Sequence, residues 1–310
     1  MDKLRIGLIG TGHWARSVHG PSVLAHAHTE LVGVWGRDQA RTRAVAKELH
    51  TNPHSELETL LAQVEALTFA VPPDVQAPIA ARAAELGLHL LLEKPIALSA
   101  ADAVRLERAV DEAGVASVVF FTRRFLPDVQ EWLRHASETG GWYSGRAEAD
   151  FNLFGEDDSF AVSPWRREHG ALWDMGPHSL ALLIPILGDI TAVSAVAGRG
   201  DQVHLILRHG QGSSSTSSFS YTSPAANGNS LYVDGSAGRS AAPMPALATA
   251  DSIAAHGAAL DALIDQVQQA KPSHPCDVHL GARVVEVLAA AEASLASGCI
   301  VEVNKTPAGR

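Results

Sequence analysis

The chain has 310 residues, a net charge of −10 and two cysteines, Cys276 and Cys299. That length exceeds one small core and implies two domains. The acidic balance argues against nucleic acid or an anionic membrane as partner, and two cysteines give no disulfide framework. The longest apolar stretch, residues 180–187, contains Pro185 and is too short to cross a bilayer. No signal peptide is visible ahead of the first strand, so a soluble cytoplasmic protein is expected.

Leu4, Ile6, Leu8 and Ile9 form a short apolar run of the kind shown by a strand buried between helices. Gly10-Thr11-Gly12-His13-Trp14-Ala15 follows and fits the G-x-G-x-x-G/A form. The first glycine permits a tight turn, the second lets backbone approach a pyrophosphate, and Ala15 is small enough for a helix to pack on the strand. A dinucleotide's phosphates would meet free N–H groups at that helix N-terminus. A second strand, 31–35, arrives at the spacing the motif needs. An acid at its end would hold a ribose 2′-hydroxyl, whereas an arginine accommodates a 2′-phosphate. The residues there are Gly36-Arg37-Asp38. Gly36 leaves room and Arg37 stands near the acidic position. Asp38 is either the ribose acid or a turn or N-cap residue for a helix over 39–49. The reading favours NADP(H), with NAD(H) as the alternative.

A third strand at 67–71 runs into Pro72-Pro73, followed by a helix over 74–87 that Gly87 closes. A fourth strand, 88–92, ends at Glu93-Lys94-Pro95; helix 99–113, with Gly114 at its end, and a fifth strand, 115–121, complete this part. Strands spaced by helices of this length imply a parallel, doubly wound sheet, whose ligands lie at the carboxyl ends of its strands. Val71, Pro72, Glu93 and Lys94 stand at such ends beside the glycine turn and Arg37. Residues 1–121 are therefore expected to form a cofactor domain.

Beyond 121 the rhythm changes. A helix near 127–138 precedes a strand at 145–151, and further strands are expected at 190–197, 202–208, 213–222 and 229–234, with helices at 251–270 and 279–297. Consecutive strands on short turns suggest an α+β domain over 122–310 with an antiparallel sheet. The serine-rich run 213–218 is read as a strand rather than a flexible loop, because Phe219 and Tyr221 continue the pattern.

Between these strands lies His169-Gly170-Ala171-Leu172-Trp173-Asp174-Met175-Gly176-Pro177-His178. Asp174 and His178 are one helical turn apart, so both side chains point to one face. A histidine with a nearby carboxylate suits a general base, although such pairs are also common on helix surfaces. His274, Cys276 and His279 are of zinc-ligand type but lack a fourth partner, and no metal is expected. The pair Arg123-Arg124 could receive an acidic substrate group or serve a structural role.

The glycine turn, Glu93-Lys94-Pro95 and the Gly170…Asp174-x-Gly176-x-His178 segment together resemble the glucose–fructose oxidoreductase / inositol dehydrogenase / rhizopine-catabolism (Gfo/Idh/MocA) family over nearly the whole chain. The resemblance implies an N-terminal Rossmann domain and a C-terminal α+β domain with an open, mostly antiparallel sheet, often used for homo-oligomerisation. It implies an NAD(P)-dependent oxidoreductase acting on sugars, cyclitols or related alcohols. Lys94 matches the family's catalytic lysine, and Asp174 with His178 its aspartate–histidine pair; Trp165-Arg166 resembles a pair bordering the active site. Two positions depart from the common pattern: Ala181 where many relatives carry aspartate, and Thr122 where many carry asparagine.

The mechanism this implies is reversible hydride transfer between a nicotinamide and a secondary alcohol. Lys94 would polarise the reacting oxygen, His178 would carry the hydroxyl proton, and Asp174 would orient the imidazole or bind a neighbouring hydroxyl. Glu93 would support the loop, and Arg123, Trp165 and Arg166 would join Asp174 on the substrate side. Two other functions fit the same residues: an NADP(H)-sensing regulator without turnover, and a glycoside-processing enzyme that uses tightly bound NAD as an internal redox shuttle.

Overall fold

The computed structural model describes residues 2–152, 164–223, 228–269 and 272–303. The chain divides into two compact units, Met1–Phe125 with Leu247–Ala282, and Leu126–Ala246 with Arg283–Arg310.

The first unit carries six parallel strands in the order β3-β2-β1-β4-β5-β6. They are β1 (Leu4–Ile9), β2 (Thr29–Trp35), β3 (Asn52–His54), β4 (Ala66–Phe69), β5 (His89–Glu93) and β6 (Ser117–Phe120). Every residue of β4 and β6 is buried, as a parallel sheet covered on both faces requires. Between the strands run α1 (Gly20–Ala25), α2 (Gln39–Glu48), α3 (Leu57–Leu61), α4 (Pro73–Glu85) and α5 (Ala100–Ala113). Their ends follow the sequence cues. The Asp38 carboxylate accepts the backbone N–H groups of Ala40 and Arg41 at 2.9 and 3.0 Å, and Gly114 closes α5 at φ 65°.

Three features depart from the sequence reading. A sixth strand, Asn52-Pro53-His54, lies at the sheet edge, where a proline is tolerated; it has no apolar run to announce it. The helix after the glycine turn opens with a wide π-turn, Ala15–His19, in which the Gly20 N–H reaches back to the Ala15 carbonyl. Finally, a boundary after 121 assigns everything later to the second domain, whereas α8 (Thr249–Val267) packs with the first unit. The Ser22 hydroxyl donates to the Ile253 carbonyl at 3.2 Å, and His26 Nε2 meets Asp261 Oδ1 at 2.9 Å.

The second unit holds a seven-stranded sheet in the order β12-β11-β7-β10-β9-β8-β13. Its strands are β7 (Trp142–Asp150), β8 (Ile190–Ala197), β9 (Val203–His209), β10 (Ser214–Ser220), β11 (Gly228–Gly235), β12 (Gly238–Ala241) and β13 (Val301–Glu302). All neighbours pair antiparallel except β7 with β10, so the sheet is mostly antiparallel, as the resemblance implied, with one parallel pair. The serine-rich segment is a central strand. Ser215 and Ser217 point inward, and the Ser215 hydroxyl meets His209 Nε2 at 2.9 Å, which satisfies a polar group inside the sheet packing. Helices α6 (Pro127–Thr139) and α7 (Pro164–Leu187) complete the layer, with the larger part of α9 (Val278–Ser297). Among the described residues, no helix is long and apolar enough to cross a membrane.

Candidate functional site

In the first unit, the glycine turn sits where three strand ends converge. The Gly10 N–H donates to the Trp35 carbonyl at 2.8 Å, and the Ala70 N–H donates to the Ile9 carbonyl at 2.8 Å. Gly10 holds φ 132°, and a β-carbon there would lie 2.3 Å from the Ala70 carbonyl oxygen and 3.2 Å from Val71 Cγ1. No other residue fits that position. A β-carbon on Gly12, by contrast, would meet nothing within 4 Å, so its backbone borders open space. Thr11, Gly12 and His13 line a cavity of about 580 Å³ together with Arg16, Arg41 and Glu48. Arg16 is paired with Glu48 at 2.6 Å. The exposed first turn of this helix and the open glycine backbone fit a dinucleotide pyrophosphate.

The end of β2 bears on the choice of cofactor. A β-carbon on buried Gly36 would lie 2.7 Å from Thr11 Cγ2 and 3.1 Å from Thr42 Oγ1, so a side chain has no room there. The Asp38 carboxylate caps α2, and its backbone bonds hold it below the usual carboxylate range. Arg37 is exposed at the bend. Arg41, which the sequence reading did not single out, lines the cavity from the first turn of α2.

Lys94 follows β5 in a loop fixed from several sides. Glu93 Oε1 accepts the Trp14 indole N–H at 2.7 Å and lies 3.0 Å from His19 Nε2; Glu93 Oε2 accepts the Lys94 N–H at 3.1 Å. The carboxylate thus ties the glycine-turn helix to the lysine loop. Gln76, fully buried on α4, clamps the same loop: its Oε1 accepts the Glu93 N–H at 2.8 Å, and its Nε2 donates to the Glu93 carbonyl at 2.7 Å. Sequence alone offered no sign of Gln76. The Lys94–Pro95 peptide is cis. Val71 and Pro72, at the end of β4, are half-buried. Arg123 is buried in a 3₁₀ turn, Thr122–Phe125, and burial lowers its guanidinium from the ordinary arginine range.

In the second unit, α7 is broken at Gly170 (φ 64°, ψ −166°). Residues eight apart on a straight helix stand about 12 Å apart. The break folds Arg166 back, so that its Nε donates to Asp174 Oδ2 at 2.7 Å. The Tyr221 hydroxyl donates to the same oxygen at 2.5 Å. Asp174 is buried and Arg166 is one-quarter exposed. Burial first, and then the Asp174 charge, push the Tyr221 phenol well above its usual value, so it remains a donor. The Arg166 guanidinium lies 5.2 Å from the centre of the Trp165 ring. His178 stands half-buried one turn beyond Asp174. The sequence reading assigned Asp174 to the imidazole or to substrate; Arg166 and Tyr221 hold it in place. Tyr221 escaped notice because it is remote in sequence.

His274, Cys276 and His279 go to separate partners. His274 Nδ1 accepts the Cys276 N–H at 3.0 Å, Cys276 is buried, and His279 faces Asp277 and Asp111 at 3.2 and 3.1 Å.

Comparison with known proteins agrees with both units. A family model described as an oxidoreductase family with an NAD-binding Rossmann fold matches residues 4–121, and a GFO/IDH/MocA C-terminal domain model matches residues 133–241. D-xylose 1-dehydrogenase (NADP(+)) 2 of Haloferax volcanii is 31% identical over 190 residues, 60% of this chain and 58% of its own length. The chain spans between 34% and 58% of the first curated relatives it matches. GenD2 from gentamicin A biosynthesis, crystallised with NAD, superposes with a TM-score of 0.84 at 24% identity, covering 98% of this chain and 97% of that one. The WlbA dehydrogenase of Bordetella pertussis, solved with NADH and UDP-GlcNAcA, gives 0.81 at 22% identity, covering 98% of each chain. At such identities the structural likeness speaks for the fold. With both domain models matched in order on units of the corresponding folds, the chain belongs to the Gfo/Idh/MocA oxidoreductase family.

Proposed function

We propose that the protein is an NAD(P)-dependent oxidoreductase that interconverts a secondary alcohol and a ketone on a sugar, a cyclitol or a related small molecule. The observation that carries this reading is the Glu93 carboxylate, which joins Trp14 of the glycine turn to the backbone of Lys94. A lysine held beside a dinucleotide cradle has the chemistry to polarise a reacting oxygen. The bound cofactor would supply or accept the hydride. Lys94 Nζ donates a hydrogen bond to the reacting oxygen, and a His178 ring nitrogen takes or returns the hydroxyl proton. Asp174, held by Arg166 and Tyr221, offers a fixed anionic oxygen to a neighbouring substrate hydroxyl.

NADP(H) is the favoured cofactor. Gly36 leaves no side chain for the ribose acid, and the Asp38 carboxylate is occupied as a cap, while Arg37 is exposed at the strand end. The xylose dehydrogenase relative is named for NADP(+), whereas the GenD2 and WlbA structures hold NAD and NADH, so the preference rests on the residues at the end of β2. We further read the protein as a cytoplasmic homo-oligomer, for which light scattering is the check. Turnover across sugars, cyclitols and their ketones, with each cofactor, tests the activity. Charge-assisted pairing contributes about 1.5–3 kcal/mol, so Arg37→Ala is expected to weaken NADPH about ten- to a hundredfold and leave NADH nearly unchanged. Equal NADPH and NADH affinities in the unmutated protein would remove the preference.

A further inference from the structure

The π-turn at Ala15–His19 has a consequence for the site. A π-turn inserts one residue into the helix, and each residue rotates the chain by about 100°, so the insertion re-aims the side chains that follow. His19, the last residue of that turn, is fully buried. Its Nε2 lies 3.0 Å from Glu93 Oε1. Its Nδ1 lies 2.8 Å from Thr68 Oγ1 and 3.1 Å from His256 Nε2, and Thr68 Oγ1 and His256 Nε2 are themselves 3.1 Å apart. His256 is fully buried on α8. The Phe120 ring stands edge-on to both imidazoles, with centroids 5.9 and 5.0 Å away.

This arrangement selects one tautomer. An ionised carboxylate only accepts, so His19 Nε2 carries the hydrogen. Nδ1 must then accept, and the Thr68 hydroxyl and the His256 Nε2–H are the donors on that side. Burial keeps the ring neutral, lowering its pKa to about 3, and the neutral form has the one N–H and one lone pair this pattern needs. A histidine serving only to fill the core does not need a carboxylate partner. This one spends its single donor on the side chain that also receives the Lys94 N–H and the Trp14 indole.

We propose that His19 is a positioning residue: through the Glu93 carboxylate it sets the placement of the Lys94 loop against the glycine turn, backed by Thr68 and His256. The inference rests on the reading of Lys94 as the catalytic lysine. His19 is fully buried, and its effect is transmitted through Glu93. A misplacement of about 1 Å at a reacting group can cost a hundredfold in rate, so a released Glu93 should lower kcat and leave cofactor affinity intact.

The test uses the full chain and three variants. His19→Leu removes the donor and keeps the bulk, His19→Gln restores an N–H near the position of Nε2, and Trp14→Phe removes the indole donor to Glu93 while keeping an aromatic ring. We expect His19→Leu to lower kcat about ten- to a hundredfold, with KM and the NADPH dissociation constant changed less than about threefold. His19→Gln should recover most of that loss, and Trp14→Phe should fall between. A second readout needs no turnover: the acylation rate of the Lys94 amine, followed by mass spectrometry with exposed Lys47 as reference, should shift at least about threefold in His19→Leu and return in His19→Gln. If folded His19→Leu and Trp14→Phe keep both wild-type kcat and wild-type Lys94 labelling, the proposal is overturned. It is equally overturned if His19→Gln behaves as His19→Leu does, or if kcat, NADPH affinity and thermal midpoint all fall together. Absence of turnover in the unmutated protein counts against the proposed activity, and the labelling result then decides the role of His19 separately.

Discussion

Two carboxylates, Glu93 in the first unit and Asp174 in the second, are each anchored by side-chain donors, but of different kinds. The indole of Trp14, the imidazole of His19 and the backbone of Lys94 are donors without charge, and they come from a strand end and the helix after the glycine turn. Asp174 instead faces a guanidinium and a phenol, Arg166 and Tyr221. The first arrangement fixes a loop. The second holds a compensated anion in a buried place, where loss of either partner leaves a charge exposed to a poor solvent. The difference separates a carboxylate held by neutral donors from one compensated by a cation.

The largest test of that contrast is on the reaction itself. Lys94→Ala and His178→Ala should each lower kcat by about 10²–10⁴, with NADPH binding retained in a fluorescence titration. On the proposed mechanism both act on one transition state, so the double variant should be far less than multiplicatively worse. A near-normal kcat in His178→Ala would pass the proton-carrying role to Lys94 or Asp174.

Stability separates the two carboxylates next. Asp174→Asn removes the carboxylate charge that the Arg166 Nε donates to. Breaking a buried pair costs about 3–5 kcal/mol, and the partial exposure of Arg166 puts this one at or below the low end, about 3 kcal/mol. Tyr221→Phe should cost about 1.5 kcal/mol, the loss of one hydrogen bond to a charged group. Urea midpoints check both; a neutral Asp174→Asn would show that Arg166 finds water instead.

Acid acts on the first unit. Burial lowers His19 to about 3 and His256 in the same direction, below their unfolded value of 6.5. The unfolded chain therefore binds more protons below that value. The stability the neutral His19 ring provides is full above pH 6.5 and declines as pH falls from 6.5 towards 3, at about 1.4 kcal/mol per pH unit; His256 acts in the same direction. His19→Leu should flatten the pH dependence of the thermal midpoint across that window. Equal slopes in variant and wild type would mean that His19 is not neutral and buried in solution.

The smallest effect lies at His279, whose hydrogen bond to Asp277 and the charges of Asp277, Asp111 and Glu107 raise it to about 9. A raised pKa contributes stability below the unfolded value of 6.5, and that contribution is lost as pH rises through about 9. The side chain is 53% exposed, so solvent screening keeps the contribution small. His279→Ala should lower the thermal midpoint slightly at pH 6 and not at all at pH 10; a gap that widens at pH 10 would reverse the sign.

The glycine turn, Gly36-Arg37-Asp38 and the Glu93-Lys94-Pro95 loop are each short local segments at strand ends, so their place in the fold was legible in the chain. Asp174 and His178 were visible as a one-turn pair for the same reason. The partners of those residues were not: Gln76, His19 and Tyr221 act through contacts 17, 74 and 47 residues away. Arg166 was placed beside Asp174 by resemblance, but its direct bond to that carboxylate was hidden by the break at Gly170, because a helical spacing rule fails where the helix is interrupted.

By itself the sequence determined what periodicity and turn chemistry encode. Apolar runs buried on both faces made the parallel sheet, Gly10 made its tight turn, Asp38 capped α2, and the strand rhythm from Ile190 onward made the second sheet. Tertiary structure alone decided the rest. It put β3 at the edge without an apolar signal, paired β7 with β10 in parallel, and returned α8 to the first unit, where His256 meets His19. Those outcomes depend on which distant surfaces bury each other and which polar groups then need partners, and neither is a property of any short stretch of chain.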